Sequence, residues 1–152
     1  MSFSIGKYKV PLLLVLLTLF SCKDEINYKG NLKPRIKFVS ISSEQVREFI
    51  DSLTVRISYE DGDGDLGSFD ADTLDIAVRD GRLTNSDYYH LPPLATKGAN
   101  VIIKGEFDLK LKNLFLLGSG KSETTILEIK IRDRAKNWSN TITTPSIEIT
   151  KP

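Results

Sequence analysis

One cysteine and one histidine stand in a chain of 152 residues. A lone cysteine forbids an internal disulfide, and a lone histidine rules out the multi-histidine sites on which most zinc enzymes are built. Charge of one sign is lacking too. Lys and Arg number 21 against 20 Asp and Glu, a formal net charge of +1, so no global field draws the chain toward nucleic acid, and no nucleic-acid partner is expected. Nor does the apolar run from Val10 to Phe20, interrupted by Pro11 and Thr18, suffice to span a bilayer: at 1.5 Å per residue it covers about 16 Å of a ~30 Å hydrocarbon core. With 40% hydrophobic and 27% charged residues, the chain as a whole has the composition of one folded domain.

What the N-terminus does contain is an export pattern. Lys7 and Lys9 precede the apolar run, and Ser21 and Cys22 follow it, the order of a secretory signal. The segment Leu19-Phe20-Ser21-Cys22 resembles the lipobox of bacterial lipoproteins, which implies acylation of Cys22 and a membrane anchor without a spanning helix. Lys23-Asp24-Glu25 resembles the short signal that sends lipoproteins of the Bacteroidota to the exterior of the outer membrane. The expected organisation is a signal peptide over residues 1–21, a lipidated cysteine and polar tether over 22–34, and one domain over 35–152.

Within that domain, apolar and polar residues alternate with period two. The alternation runs through Ile36 and Phe38; Leu53, Val55, Ile57 and Tyr59; Leu74, Ile76 and Val78; Val101, Ile103, Phe107, Leu109 and Leu111; Leu127, Ile129 and Ile131; and Ile147 and Ile149. Half-buried strands explain it. Only residues 43–50, with Val46, Phe49 and Ile50 at helical spacing, suggest one short helical turn. Turn signals between about seven strands, without a βαβ rhythm, predict an all-β fold: an antiparallel β-sandwich of the immunoglobulin or fibronectin kind.

The run from Ile57 to Gly67 with its Asp-Gly-Asp-Gly-Asp-Leu-Gly core, Leu91-Pro92-Pro93-Leu94, and Asp133-Arg134-Ala135-Lys136-Asn137-Trp138-Ser139-Asn140 resemble a family of uncharacterised surface lipoproteins of the Bacteroidota. The resemblance implies an immunoglobulin-like fold and no established activity. A glycine is common in that family where Lys136 stands here.

Six carboxylates, Glu60, Asp61, Asp63, Asp65, Asp70 and Asp72, occur between residues 60 and 72 without one Lys or Arg. Such crowding repels itself unless a cation enters, and hard carboxylate oxygens on a glycine-rich loop suit calcium. An EF-hand register would use Asp61, Asp63, Asp65 and Asp72, but its glycine position is Leu66; an acidic turn is the alternative. In the predicted topology the loop after the sixth strand reaches the same end of the sandwich, so Asp133 and Asn137 would approach this loop. The candidate metal ligands are therefore Asp61, Asp63, Asp65, Asp72 and Asp133.

Tyr88, Tyr89 and Trp138 are candidate ligand-contact aromatics, because sugar rings stack on exposed aromatic faces. Ser52 and Thr73, within Asp-Ser-Leu and Asp-Thr-Leu, resemble the short O-glycosylation sequon of the same bacteria. Gly118-Ser119-Gly120-Lys121-Ser122 is no phosphate loop, since Phe115 stands where its first glycine belongs. His90 has no nucleophile motif to serve. The expected function is a lipid-anchored, surface-exposed, non-catalytic binding or structural module with a calcium loop and a protein or glycan partner. A small surface hydrolase using the acidic cluster, or a carbohydrate-binding accessory protein, is the alternative.

Overall fold

The computed structural model describes residues 32–152. Cys22, Lys23-Asp24-Glu25 and the rest of the predicted leader lie outside the described residues. The described chain is all-β, β-sandwich-like and without a helix. Ten strands form three sheets. The first sheet, in the order β1-β3-β6, comprises β1 (Arg35–Ile41), β3 (Leu53–Asp61) and β6 (Ile103–Leu111). The second, β2-β10-β7, comprises β2 (Gln45–Arg47), β10 (Ile147–Thr150) and β7 (Ser122–Thr125). The third, β5-β4-β8-β9, comprises β5 (Asp87–Tyr89), β4 (Ile76–Asp80), β8 (Leu127–Ile131) and β9 (Ile142–Thr143). All pairings are antiparallel except β2 with β10.

The alternation read from the sequence directs this packing. In β3, Leu53, Val55 and Ile57 are fully buried, and in β8 so are Leu127, Ile129 and Ile131. Leu109 and Leu111 on β6 and Ile147 and Ile149 on β10 join the same apolar cluster. Each such side chain contributes about 1.5–3 kcal/mol by leaving water. The pattern overreaches at two places: Leu74 is exposed and precedes β4, and Val101 is exposed and precedes β6. Pro145 lies between β9 and β10, where its missing N–H interrupts no ladder.

The helical turn suggested for residues 43–50 is not formed as a helix. Val46 is buried in β2, beside Ile149, whereas Phe49 and Ile50 are exposed. Parallel pairing with β10 captures Val46. What remains of the helical signal is one closed turn, in which the Asp51 N–H donates to the Arg47 carbonyl (3.2 Å) and the two side chains form an ion pair. Phe49 takes a left-handed φ of 56° in that turn and stacks on Phe115.

These registers give the molecule two poles. Asp61 at the end of β3, Arg35 at the start of β1 and Ile103 at the start of β6 share one pole, because Arg35 pairs with Glu60 and Asp61 with Ile103. Leu53 and Leu111 pair near the opposite pole, where the Phe49 N–H donates to Leu114 and the Glu48 N–H to Thr150.

Candidate metal centre

Strand β3 runs into the acidic loop, and its last residue, Asp61, is fully buried. One Asp61 oxygen, Oδ2, accepts the Asp65 N–H at 2.8 Å, curling residues 61–65 into a tight loop. Gly64 makes that curl feasible. Its φ is +74°, and a Cβ there would stand 2.7 Å from the Val101 carbonyl oxygen, so both the conformation and the space demand glycine. Gly67, at φ +78°, packs tighter still: a Cβ would lie 2.1 Å from the Pro92 carbonyl oxygen.

The second half comes from the turn after β8. Asp133, also fully buried, forms an isolated bridge with Leu66. The Arg134 N–H donates to the Asp65 carbonyl (3.2 Å), and the Ala135 N–H donates to Asp65 Oδ2 (2.9 Å). Asp133 is oriented by Asn137, whose backbone N–H reaches Oδ1 at 2.6 Å and whose side-chain amide reaches Oδ2 at 2.9 Å. Asp61, Asp65 and Asp133 thereby bring one potential ligand oxygen each to within 4.8 Å of one another. Two residues of the turn hold its shape: Lys136, at φ 72°, closes it with a bond to the Asp133 carbonyl, and Arg134 donates to the carbonyls of Gly67 (3.0 Å) and Gly64 (3.3 Å). The Arg134 guanidinium thus fastens backbone to backbone.

No ion pair among the described residues includes Asp61, Asp63, Asp65 or Asp133. Oδ1 of Asp61, Oδ1 of Asp63 and Oδ1 of Asp65 are buried and receive no hydrogen bond. An unsatisfied buried polar group costs about 1–3 kcal/mol, and more when charged. The electrostatics register the strain. Burial, then the Asp133 and Asp63 charges, push the Asp65 carboxyl up to about 6. Burial also raises the Asp61 carboxyl, despite the Asp65 N–H bond that opposes it. A cation removes both penalties. The donor set is all carboxylate, which selects a hard ion over zinc or copper. Ligands of a calcium ion lie about 2.4 Å from it, so any two stand at most about 4.8 Å apart, a limit that these three oxygens respect.

The remaining candidates are scattered. Asp63 contributes an orphaned oxygen to the loop, but Asp72 is exposed in a separate turn in which its N–H donates to Asp70, outside the group of three. Tyr88 is exposed and Tyr89 half-buried against the core; as neighbours in β5 they face opposite sides of the sheet and form no common platform. Trp138 is half-buried, with Lys130 Nζ 4.6 Å and the Arg132 guanidinium 5.1 Å from its ring centroid. Ser52 is exposed just before β3, and the Thr73 hydroxyl donates to Asp70. His90 Nδ1 lies 2.9 Å from the Thr73 carbonyl.

Other polar residues carry structure that the sequence hid. Asn140 bonds both backbone groups of Ile36, accepting its N–H (3.0 Å) and donating to its carbonyl (2.9 Å). Buried Asp75 pairs with Arg132. Arg82 bridges Asp80 and Glu123 within the protein. Asn140 lies in the turn motif with Asp133, but nothing local in the sequence points to its partner Ile36. No protein family, curated protein or solved structure matches this chain.

Proposed function

We propose that this protein is a lipid-anchored, outward-facing module of the bacterial outer membrane, non-catalytic, whose β-domain is locked at one pole by a calcium ion. The single observation that carries the calcium reading is the gathering of Asp61 and Asp65 with buried Asp133 in a loop where Asp61, Asp63 and Asp65 each hold a buried carboxylate oxygen without a donor. Asp61 belongs to one sheet and Asp133 follows the last residue pairs of another, so the ion would fasten the two together. Full burial of Asp61 and Asp133 speaks against the hydrolase alternative as far as those two carboxylates are concerned, because a substrate bond has no route to them. The opposed directions of Tyr88 and Tyr89 likewise speak against a flat glycan platform.

The anchor reading rests on Cys22 directly after the apolar segment, and outward display rests on Lys23-Asp24-Glu25. An immunoglobulin- or fibronectin-like topology follows if β1 with β2, β7 with β8, and β9 with β10 are each counted as one bent strand; the ten segments then reduce to seven. The metal reading is tested by amide NMR of the protein during a calcium titration. The Asp65 and Ala135 resonances should shift saturably, with dissociation constants of about 10⁻⁴–10⁻³ M, as for extracellular calcium modules. Asp61→Asn and Asp133→Asn should abolish the response, and unmoved Asp65 and Ala135 resonances in the native protein would overturn the reading. Cys22→Ala should release the protein from membranes, and replacement of Lys23-Asp24-Glu25 by alanines should shield it from protease on intact cells.

A further inference from the structure

Strands at sheet edges expose unpaired backbone groups, which natural proteins shorten, kink or cover. Six of the ten strands are edges here. Four are short: β2 and β5 have three residues, β9 two and β7 four. The fifth, β1, has an irregular register between Phe38 and Ser40, and Asn140 covers its start by bonding both backbone groups of Ile36. The sixth is β6. Its nine residues pair with β3 without a register shift, it contains no proline, and no described strand pairs with its other side. Its core side presents Ile103, Gly105, Phe107, Leu109 and Leu111 with no inward charge to repel a partner.

We propose that the open edge of β6 pairs antiparallel with β6 of a second copy, about a twofold axis through Leu109. The charges on the solvent side select both the partner and the register. An axis through Phe107 would set Lys104 against Lys110 and Glu106 against Asp108, like against like. Axes through Glu106 or Asp108 would set that acid against itself. An axis through Gly105 satisfies Lys104 and Glu106 but leaves the apolar half of the strand, from Leu109 onward, without an opposite. The Leu109 axis sets Asp108 against Lys110 and Glu106 against Lys112, twice by symmetry, with Leu109 facing Leu109 and Phe107 facing Leu111 on the core side. Opposite charges directly across a ladder stabilise it, and like charges oppose it.

The chain itself leaves these groups available. Glu106, Lys110 and Lys112 form no ion pair among the described residues, and Asp108 is held from the β3 side by Arg56 (2.8 Å). Asn113, at φ 62°, ends the extended run just past Lys112. The dimer joins two three-stranded sheets into one of six strands, and an isologous contact of this kind closes on itself. Its pole-to-pole direction leaves the acidic loop of each copy free, so it stands or falls independently of the metal reading.

The test is zero-length carbodiimide coupling of full-length protein in detergent, using an equal mixture of unlabelled and ¹⁵N-labelled copies. Mixed-isotope peptides joining Lys110 to Asp108 and Lys112 to Glu106 are expected. In analytical ultracentrifugation, a readout that does not depend on the reacting groups, the variants K110E/K112E and E106K/D108K should each dimerise about tenfold or more weakly than the native protein when alone, and mixing the two should restore dimer, because every opposed pair is then complementary. Melting curves establish that each variant is folded. Absence of mixed-isotope links in the native protein, undiminished dimer in either variant alone, or failure of the mixed variants to pair would each overturn the proposal.

Discussion

Replacing Asp65 by Asn should raise stability without calcium and remove the response to calcium. Asn keeps the oxygen that accepts the Ala135 N–H and removes the charge. Burial first, then Asp133, Asp63 and Asp61, lift the Asp65 carboxyl from 3.8 to about 6. At about 1.4 kcal/mol per pKa unit this amounts to roughly 3 kcal/mol at face value, and solvent screening of a half-buried group reduces it to about 1–2 kcal/mol. With about 120 folded residues at ~2.1 cal/mol/K each, unfolding has an entropy near 0.25 kcal/mol/K, so the variant should melt about 4–8 °C higher in excess chelator near pH 7.5. Calcium at about 1 mM should stabilise the native protein by roughly 0.4–1.4 kcal/mol, or about 2–6 °C, for dissociation constants of 10⁻³ to 10⁻⁴ M. The variant should gain almost nothing from calcium, so that the gap narrows or inverts. Differential scanning calorimetry of both proteins in both buffers decides it. A variant that melts below the native protein in chelator would refute the claim that these carboxylates strain one another.

Three further outcomes are expected. In chelator the native protein should become more stable as pH falls through about 6, because a carboxyl whose folded pKa is raised binds its proton in the folded state first, and the gain should end near the unfolded value of 3.8; with excess calcium the same acidification should cost stability, as protons displace the ion, and urea midpoints measure both slopes. Lys136→Gly should stabilise the fold by about 0.5–1 kcal/mol in thermal melts, since Lys136 sits at φ 72°, where a side chain costs about 1–2 kcal/mol and glycine returns part of the gain as unfolded-state entropy. Asn140→Ala should cost about 1–3 kcal/mol and accelerate hydrogen exchange at the Ile36 amide, which loses its acceptor.

The long strands were legible because alternation over five or more residues has one reading. Leu53, Val55 and Ile57 of β3, or Leu127, Ile129 and Ile131 of β8, cannot occupy one face of a helix. The short strands were not, since two to four residues define no period. In Gln45-Val46-Arg47 the spacing of Val46 to Phe49 and Ile50 imitated a helix, and only pairing with a strand 100 residues away settles the matter. Asp61, Asp65 and Asp133 were recoverable because chain topology brings their loops to one pole. Asp72 was not separable from them, because an acid in a turn and an acid in a cluster read alike until the backbone is traced. The Asn140 clasp on Ile36 spans 104 residues and leaves no local pattern.

The chain enters its fold beside Asp61 and leaves it, at Thr150, next to Arg47 near the opposite pole. Force applied between Arg35 and Thr150 therefore runs along the strands. It loads the parallel bonds between β2 and β10 and the antiparallel bonds between β1 and β3 in shear, so that many must fail together, whereas a pull across the sheets would peel them one at a time. The clasp of Asn140 on Ile36 lies at the first point to feel that tension. Loaded from end to end, the domain would be strongest along its own strands.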